Sequence, residues 1–349
     1  MSGGISQLVA VGVQDVHLTG NPEISFFRSQ YKRHTNFSSV TERQTIQGNP
    51  TANNISTVRF ERYGDLLSYV YITAYTGASG TQNLTSDQWI NAIKSVDLLI
   101  GGQVVDTQTS EFSERLAVDL LSQTLSKSAI GSHHGGSGTS SYFYPLRFSF
   151  FENYQSSLPL VGLQYHDVEI RINWGTNLLG ASFECMAHYI FLDEDERKYF
   201  SQTPRNILMY QVQKSPAQGG RVQELNFNHP IKCIAMSNAN TNPFFEPTNK
   251  FKLQINGTDV VKYMYVIPNY TQVTSYFHAP FSIGNTQDYF LYPFCLDTSK
   301  HQPTGTLNFS RLDSARVVSE TENITEDVYA INYNILRIEN GMGGVVYAN

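Results

Sequence analysis

Stretches in which every second residue is apolar recur along this chain, and they leave room for little but strands. Val168, Ile170, Ile172 and Trp174 alternate with Glu169, Arg171 and Asn173. Leu225 and Phe227 alternate with Asn226 and Asn228, and Leu253 and Ile255 flank Gln254. Tyr329, Ile331, Tyr333 and Ile335 alternate with Ala330, Asn332 and Asn334. Successive side chains of a strand point to opposite faces, so each run has one apolar and one mostly polar face. That is what a sheet in a β-sandwich needs. The 21 Tyr and 21 Phe, with many turn formers, favour strands as well. A chain of 349 residues is too long for one small core and fits two domains. Strand-like runs number roughly eight per half, which is the jelly-roll number. The two halves show no convincing internal repeat, but sandwiches share a fold without sequence similarity.

The alternation is interrupted in a few places. Asn21 suits an N-cap, Pro22 the first helical position and Glu23 the positive end of the dipole, which predicts a short helix from Pro22 to about Arg33. It would carry Phe26, Phe27 and Tyr31 beside Arg28, Lys32 and Arg33. From Ser110 to about Lys127, Phe112, Leu116, Leu120, Ala117 and Leu121 fall at helical spacings, which predicts one helix inserted in the first β domain. Gly101-Gly102 reads as a hairpin turn between Leu99 and Val104. Gly131 to Ser141 reads as a loop. The run Asp193–Glu196 reads as a solvated turn closing the first barrel, and the stretch near Pro204 as a linker. The expected division is an N-terminal arm with a short helix over 1–27, a first barrel over 28–203 and a second over 204–349.

Composition narrows the function. Charged residues make up 15% of the chain, against about a quarter in ordinary globular proteins. Net charge is −6, which speaks against wrapping nucleic acid by charge, so no direct nucleic-acid partner is expected. Cys185, Cys233 and Cys295 are odd in number and far apart, which fits neither a disulfide framework nor a zinc knuckle. The longest apolar-rich stretch, Leu66 to Tyr75, is about half of the roughly 20 residues a membrane helix requires. A cation site at Asp193–Glu196 would need spaced oxygen ligands and a Gly that are not there. His133 and His134 are adjacent and would point apart in a strand, a poor start for a metal site. No G-x-S-x-G elbow, P-loop or H-E-x-x-H occurs. No catalytic, metal or cofactor site is expected. The basic aromatic patch Phe26 to Arg33 could touch lipid headgroups. Packing of its rings under the first barrel, with its charges paired to a neighbouring subunit, is the favoured reading.

A longer set of landmarks carries a resemblance. The run GGISQLVAVGVQDVHLTGNPEISFFRSQYKRHTNF at 3–37 resembles the start of major capsid proteins of large nucleocytoplasmic DNA viruses, nearest to the chlorella-virus type. The match continues in order with Gly64-Asp65-Leu66, IGGQ at 100–103, FYPLRFSFF at 143–151 and LPLVGLQYHDVEI at 158–170. It runs on through YIFLDEDER at 189–197, LNFNHP at 225–230, QPTGTLNFSRLD at 302–313 and NYNILRIENGMGGVVYAN at 332–349. Within these runs Asn21, Pro22, Phe26, Phe27, Gly64, Asp65, Gly101, Gly102, Asn228, His229, Pro230, Gly341, Gly343 and Gly344 stand as signature positions with structural roles.

The resemblance implies an all-β double jelly-roll: two consecutive eight-stranded barrels, an N-terminal arm and one helix inserted in the first barrel. It implies homotrimeric, pseudo-hexagonal capsomers that tile an icosahedral shell with neighbouring capsomers. The arm and barrel bases would face minor capsid proteins and an internal viral membrane. It places the protein in the virion capsid, assembled in the host cytoplasm, and catalysing nothing. A minor capsid or attachment protein, or a transient membrane-shaping scaffold, would use the same fold. The second barrel lacks long insertions, so the outer loops should be low.

Overall fold

The computed structural model describes residues 4–6, 12–77, 80–124, 126–127, 140–238, 243–280 and 289–347. They form two compact units, 1–36 and 37–349.

In the first unit, a 3₁₀ turn Val13–Asp15 runs into a single helical turn, Val16–Thr19. The helix expected from Pro22 to Arg33 does not form; residues 22–36 carry no helix. Asn21 is the reason. Its φ of 53° is left-handed, whereas an N-cap needs an extended backbone. Asn21 follows the end of the preceding turn instead of starting a new one. Phe26 and Phe27 are 88% and 98% exposed.

The second unit is built of four large antiparallel sheets. In the first half, one sheet orders its strands Phe37–Gln44, Ser182–Leu192, Leu66–Thr76 and Phe143–Pro145. The facing sheet orders Ile46–Gln47, Ile55–Phe60, Val168–Trp174, Ile93–Ile100 and Gln103–Thr109. The second half repeats this order: Arg205–Ser215, Val328–Glu339, Pro230–Ser237 and Tyr289–Pro293 face Val222–Glu224, Ala315–Ser319, Lys250–Ile255 and Thr258–Asp259. In each half the first long strand pairs with the last, and the last with the third. That is the jelly-roll order, and the fold is a double jelly-roll. Short extra strands join several sheets, so pairing order defines the halves better than strand number does.

Alternation produces the cores as expected. Val168–Trp174 buries every second residue, and Ile170, Ile172 and Trp174 share a core with Val58 of the same sheet and with Val70 and Ile72 of the facing one. The Trp174 indole donates to Ser56 Oγ at 2.8 Å, so this buried ring leaves no N–H unpaired. The second core is ring-rich, with Phe251 edge-on to Phe290 at 4.9 Å.

The strand Val328–Glu339 departs from the expected pattern, because both of its faces are covered. Val328 and Ala330 enter the second core, whereas Leu336 and Ile338 enter the first. Tyr329, Ile331 and Tyr333 point the other way and meet the inserted helix.

That helix is shorter than the sequence suggests. A π-helical stretch, Phe112–Leu116, leads into an α-helical one, Ala117–Leu121, and the backbone is extended at Ser122. Phe112, Leu116, Ala117, Leu120 and Leu121 bury themselves against Tyr210, Cys233, Ala235, Tyr289, Leu291, Tyr329, Ile331 and Tyr333. A helix of the first half thus packs on the outer face of the second half's sheet. The acidic run also differs from its reading: Asp193 accepts from Glu194 N at 2.7 Å and caps a helix, Glu194–Gln202. Glu194, Asp195 and Glu196 sit at its positive end.

Leu116 is fully buried between the two halves. Leu116→Ala should lower the unfolding free energy by about 2–5 kcal/mol. Urea titration followed by tyrosine and tryptophan fluorescence checks this. The wild type should unfold in one transition; two separate transitions would show that the joint does not couple the barrels.

Candidate functional site

Among the described residues no group of three or more His, Cys, Asp or Glu is placed to share a metal ion. His133 and His134 lie outside the described residues. The three cysteines are free and buried, and burial pushes the Cys185 thiol up to about 12. No described helix is long and apolar enough to cross a membrane. What the sequence does build is a joint between the barrels, with one open sheet face beside it.

Several signature positions lie at this joint or at the corners that support it. Gly64 and Asp65 open the strand Leu66–Thr76. A Cβ on Gly64 would sit 2.7 Å from Tyr189 Cβ, so the turn can pass only as glycine. The Asp65 carboxylate accepts from Leu192 N at 2.8 Å, and from Arg197 Nε and Nη2 at 2.9 and 3.0 Å. This bidentate pair ties the helix Glu194–Gln202 to the base of the first barrel. In the second half Asn228, His229 and Pro230 hold the corresponding corner before Pro230–Ser237. His229 is left-handed at φ 65°, and its N–H donates to Ser310 Oγ at 2.8 Å. Asn228 N donates to Gln213 Oε1 at 2.9 Å.

Gly101, Gly341 and Gly343 come together although 240 residues separate the first from the second. Gly101 and Gly102 form the two-residue turn, both at positive φ. A Cβ on Gly101 would strike the His166 ring at 2.5 Å. His166 Nδ1 lies 2.8 Å from Gly343 O. A Cβ on Gly343 would lie 2.6 Å from Leu163, and Tyr165 N donates to Gly341 O at 2.9 Å. The C-terminal hairpin is thereby clamped against the first barrel. Gly344 makes no close approach; its nearest neighbour, Gln103 Oε1, would be 3.9 Å from a Cβ. Asn21, Pro22, Phe26 and Phe27 belong to the separate N-terminal unit.

The joint also contains a buried polar seam that sequence reasoning missed. Asp106 Oδ1 accepts from Val212 N at 2.9 Å, and Asp106 Oδ2 accepts from Gln108 Nε2 at 3.0 Å. Gln211 Nε2 donates to Val105 O, while Gln211 Oε1 accepts from Asn334 Nδ2 at 2.8 Å. Tyr210 OH donates to Arg147 O at 3.1 Å. The signal was visible as alternating polar residues in QVVDTQT and RNILMYQVQKS, and was indistinguishable from a solvent face. Burial pushes the Asp106 carboxyl up to about 7, against the pull of the Val212 and Gln108 hydrogen bonds. Burial also raises Glu114 to about 7, with Arg147 opposing.

Beside the joint, the outer face of the sheet containing Leu66–Thr76 holds a groove of about 820 Å³ lined by Tyr69, Tyr71, Phe143, Tyr154 and His188. The corresponding face of the second barrel is the one covered by the helix.

The class that this architecture defines is the double jelly-roll protein. Comparison with known proteins narrows it. Residues 25–193 match the family model "Major capsid protein N-terminus", and residues 196–344 match "Large eukaryotic DNA virus major capsid protein". The chain is 34% identical to the major capsid protein of Pyramimonas orientalis virus and 30% identical to that of Paramecium bursaria Chlorella virus 1, each over the full length of both proteins. Among solved structures it resembles a chain of the quasi-atomic PBCV-1 virus capsid model, with a TM-score of 0.76 and 24% identity over 93% of this chain and 100% of that one. Its fold likeness to the Faustovirus major capsid protein has a TM-score of 0.63 at 12% identity, over 94% of each chain. The chain belongs to the major capsid protein family of large eukaryotic DNA viruses.

An aspartate in the unfolded chain titrates near 4. Between about pH 4 and 7 the folded protein keeps a proton on Asp106 that the unfolded chain has lost, so this contribution to stability declines as pH rises. Asp106→Asn should therefore be relatively better tolerated at pH 8 than at pH 5, by on the order of 2 kcal/mol. Urea unfolding of both proteins at the two pH values checks this; a mutational cost independent of pH would contradict it.

Proposed function

We propose that this chain is the principal shell subunit of an icosahedral large DNA virus, and that three copies form one pseudo-hexagonal capsomer. One observation carries this reading. The chain holds two barrels with the same strand order, locked side by side, so three chains present six similar barrels. A cyclic trimer uses a heterologous interface that closes on itself. The division at 1–27, 28–203 and 204–349 follows from the same picture, as arm, first barrel and second barrel. The arm, with exposed Phe26 and Phe27, is the segment offered to minor capsid proteins and to the internal membrane. Capsomers would meet neighbouring capsomers along the barrel flanks. Net charge of −6 supports a shell that does not bind the genome directly. The family's members are structural proteins, which supports a subunit without catalysis, assembled in the host cytoplasm into the virion capsid.

Light scattering on a sizing column tests the trimer. The expected mass is about 118 kDa, three times the 39.3 kDa of one chain. Averaged electron images should have a pseudo-hexagonal outline. A monomer at micromolar concentration would overturn the autonomous capsomer.

A further inference from the structure

We infer that the joint between the two barrels is a proton-held lock, closed in acid and loosened as pH rises towards neutrality, with the facing carboxyl groups of Glu111 and Glu326 as its trigger. The inference is independent of the trimer, since every group in it belongs to one chain.

Glu111 stands at the start of the inserted helix, and the other half holds it. Its Oε1 accepts from Ser237 Oγ at 3.3 Å and its Oε2 from the Tyr329 hydroxyl at 3.4 Å. Thr109 Oγ1 lies 2.9 Å from the same hydroxyl. Glu326 comes from the second half, two residues before the strand Val328–Glu339, and its carboxyl faces that of Glu111. The cations nearby are engaged elsewhere. Arg115, one turn along the helix, pairs with Asp87 at 3.0 Å, and Lys214 pairs with Asp327. Asp327 also accepts from Ala217 N at 2.9 Å. Neither Glu111 nor Glu326 has an ion-pair partner among the described residues.

The same joint encloses two more carboxyl groups. Asp106 and Glu114 are each 7% exposed. Asp106 accepts from Val212 N of the other half, with Asp97 as the nearby like charge. Glu114 lies beside Arg147, which is itself 3.6 Å from Glu152 Oε1, and Glu152 also takes Lys127 at 3.1 Å. Closing the joint therefore takes carboxyl groups of both halves out of water and sets Glu111 against Glu326. A carboxyl so placed stays uncharged in preference to carrying an unpaired charge. Burial raises Glu326 to about 7, with Glu111 and Asp327 adding to the rise and Arg115 opposing it. With the joint open, Glu326 regains water and ionises at the usual glutamate value of about 4.3. The preference for the closed joint is full below about pH 4.3, falls between there and about 7, and is constant above it. An acidic compartment tightens the subunit and a neutral one frees its halves.

The helix seals a probe for this opening. Cys233 packs with Phe112, Leu116 and Leu120, whereas Cys185 lies in the first barrel's core. The full chain is treated with 4,4′-dithiodipyridine at pH 5 and at pH 8, and peptide mass spectrometry gives the labelling rate of each thiol. Dividing the Cys233 rate by the Cys185 rate removes the general rise in thiolate with pH. This ratio should rise about tenfold from pH 5 to pH 8 in the wild type. Glu326→Gln keeps the shape of the protonated acid, so it should lower the pH 8 ratio by about threefold or more and leave the pH 5 ratio unchanged. Glu322→Gln, an equal change of charge in the same loop, should follow the wild type. A flat wild-type ratio, whether the joint never opens or both thiols react only through unfolding of the whole chain, would overturn the lock. So would a Glu326→Gln protein with the wild-type profile.

Discussion

The packing of one short helix on the wrong side of a sheet is the interaction on which the rest depends. A jelly-roll sheet ordinarily has one face on its core and one towards water. Here the second barrel's sheet has aromatic and aliphatic residues on both faces, and Phe112, Leu116 and Leu120 of the first half cover the outer one. Without that cover, Tyr329, Ile331 and Tyr333 would form a large exposed apolar patch. The helix thus converts two sandwiches into one object with a fixed relation between its parts. The polar seam of Asp106, Gln108 and Gln211 adds direction to this contact, since its hydrogen bonds are satisfied in only one alignment.

The sequence reveals local alternation well and its destination poorly. Val168–Trp174 is legible because its polar partners do remain on the wetter face. The run around Tyr329 is legible as a strand, yet Asn332 and Asn334 are buried, because Gln211 and Gln213 from the adjacent strand satisfy them. Alternation cannot distinguish water from a neighbouring amide. The inserted helix is legible from its spacing, but nothing in that spacing says which barrel it covers. Asn21-Pro22-Glu23 has the chemistry of a helix start, and a left-handed Asn21 removes the geometry. Asp193 carries the same chemistry, and there the helix does form. Cap residues therefore permit a helix without requiring one.

The signature residues divide by the kind of constraint they meet. Gly101 is readable as a turn residue, but the His166 ring beside it comes from a distant loop and leaves no trace in the local sequence. Asp65 is readable only as polar, and its importance comes from Arg197, 132 residues onward. These positions are sites of close backbone approach or of a single well-placed ion pair. They hold corners of the fold in place.

The C-terminal strand has a consequence for how the protein is made. Leu336 and Ile338 belong to the first barrel's core, and the hairpin beyond them is clamped by Gly341 and Gly343 against the 163–166 loop. A chain emerging from the ribosome delivers these residues after the other strands of both barrels. Until then the first barrel has its strands but lacks part of its interior, and it cannot mature ahead of the second as an independent domain would. Completion of the first half waits on residues made after the other strands of the second, so neither half presents a finished surface without the other.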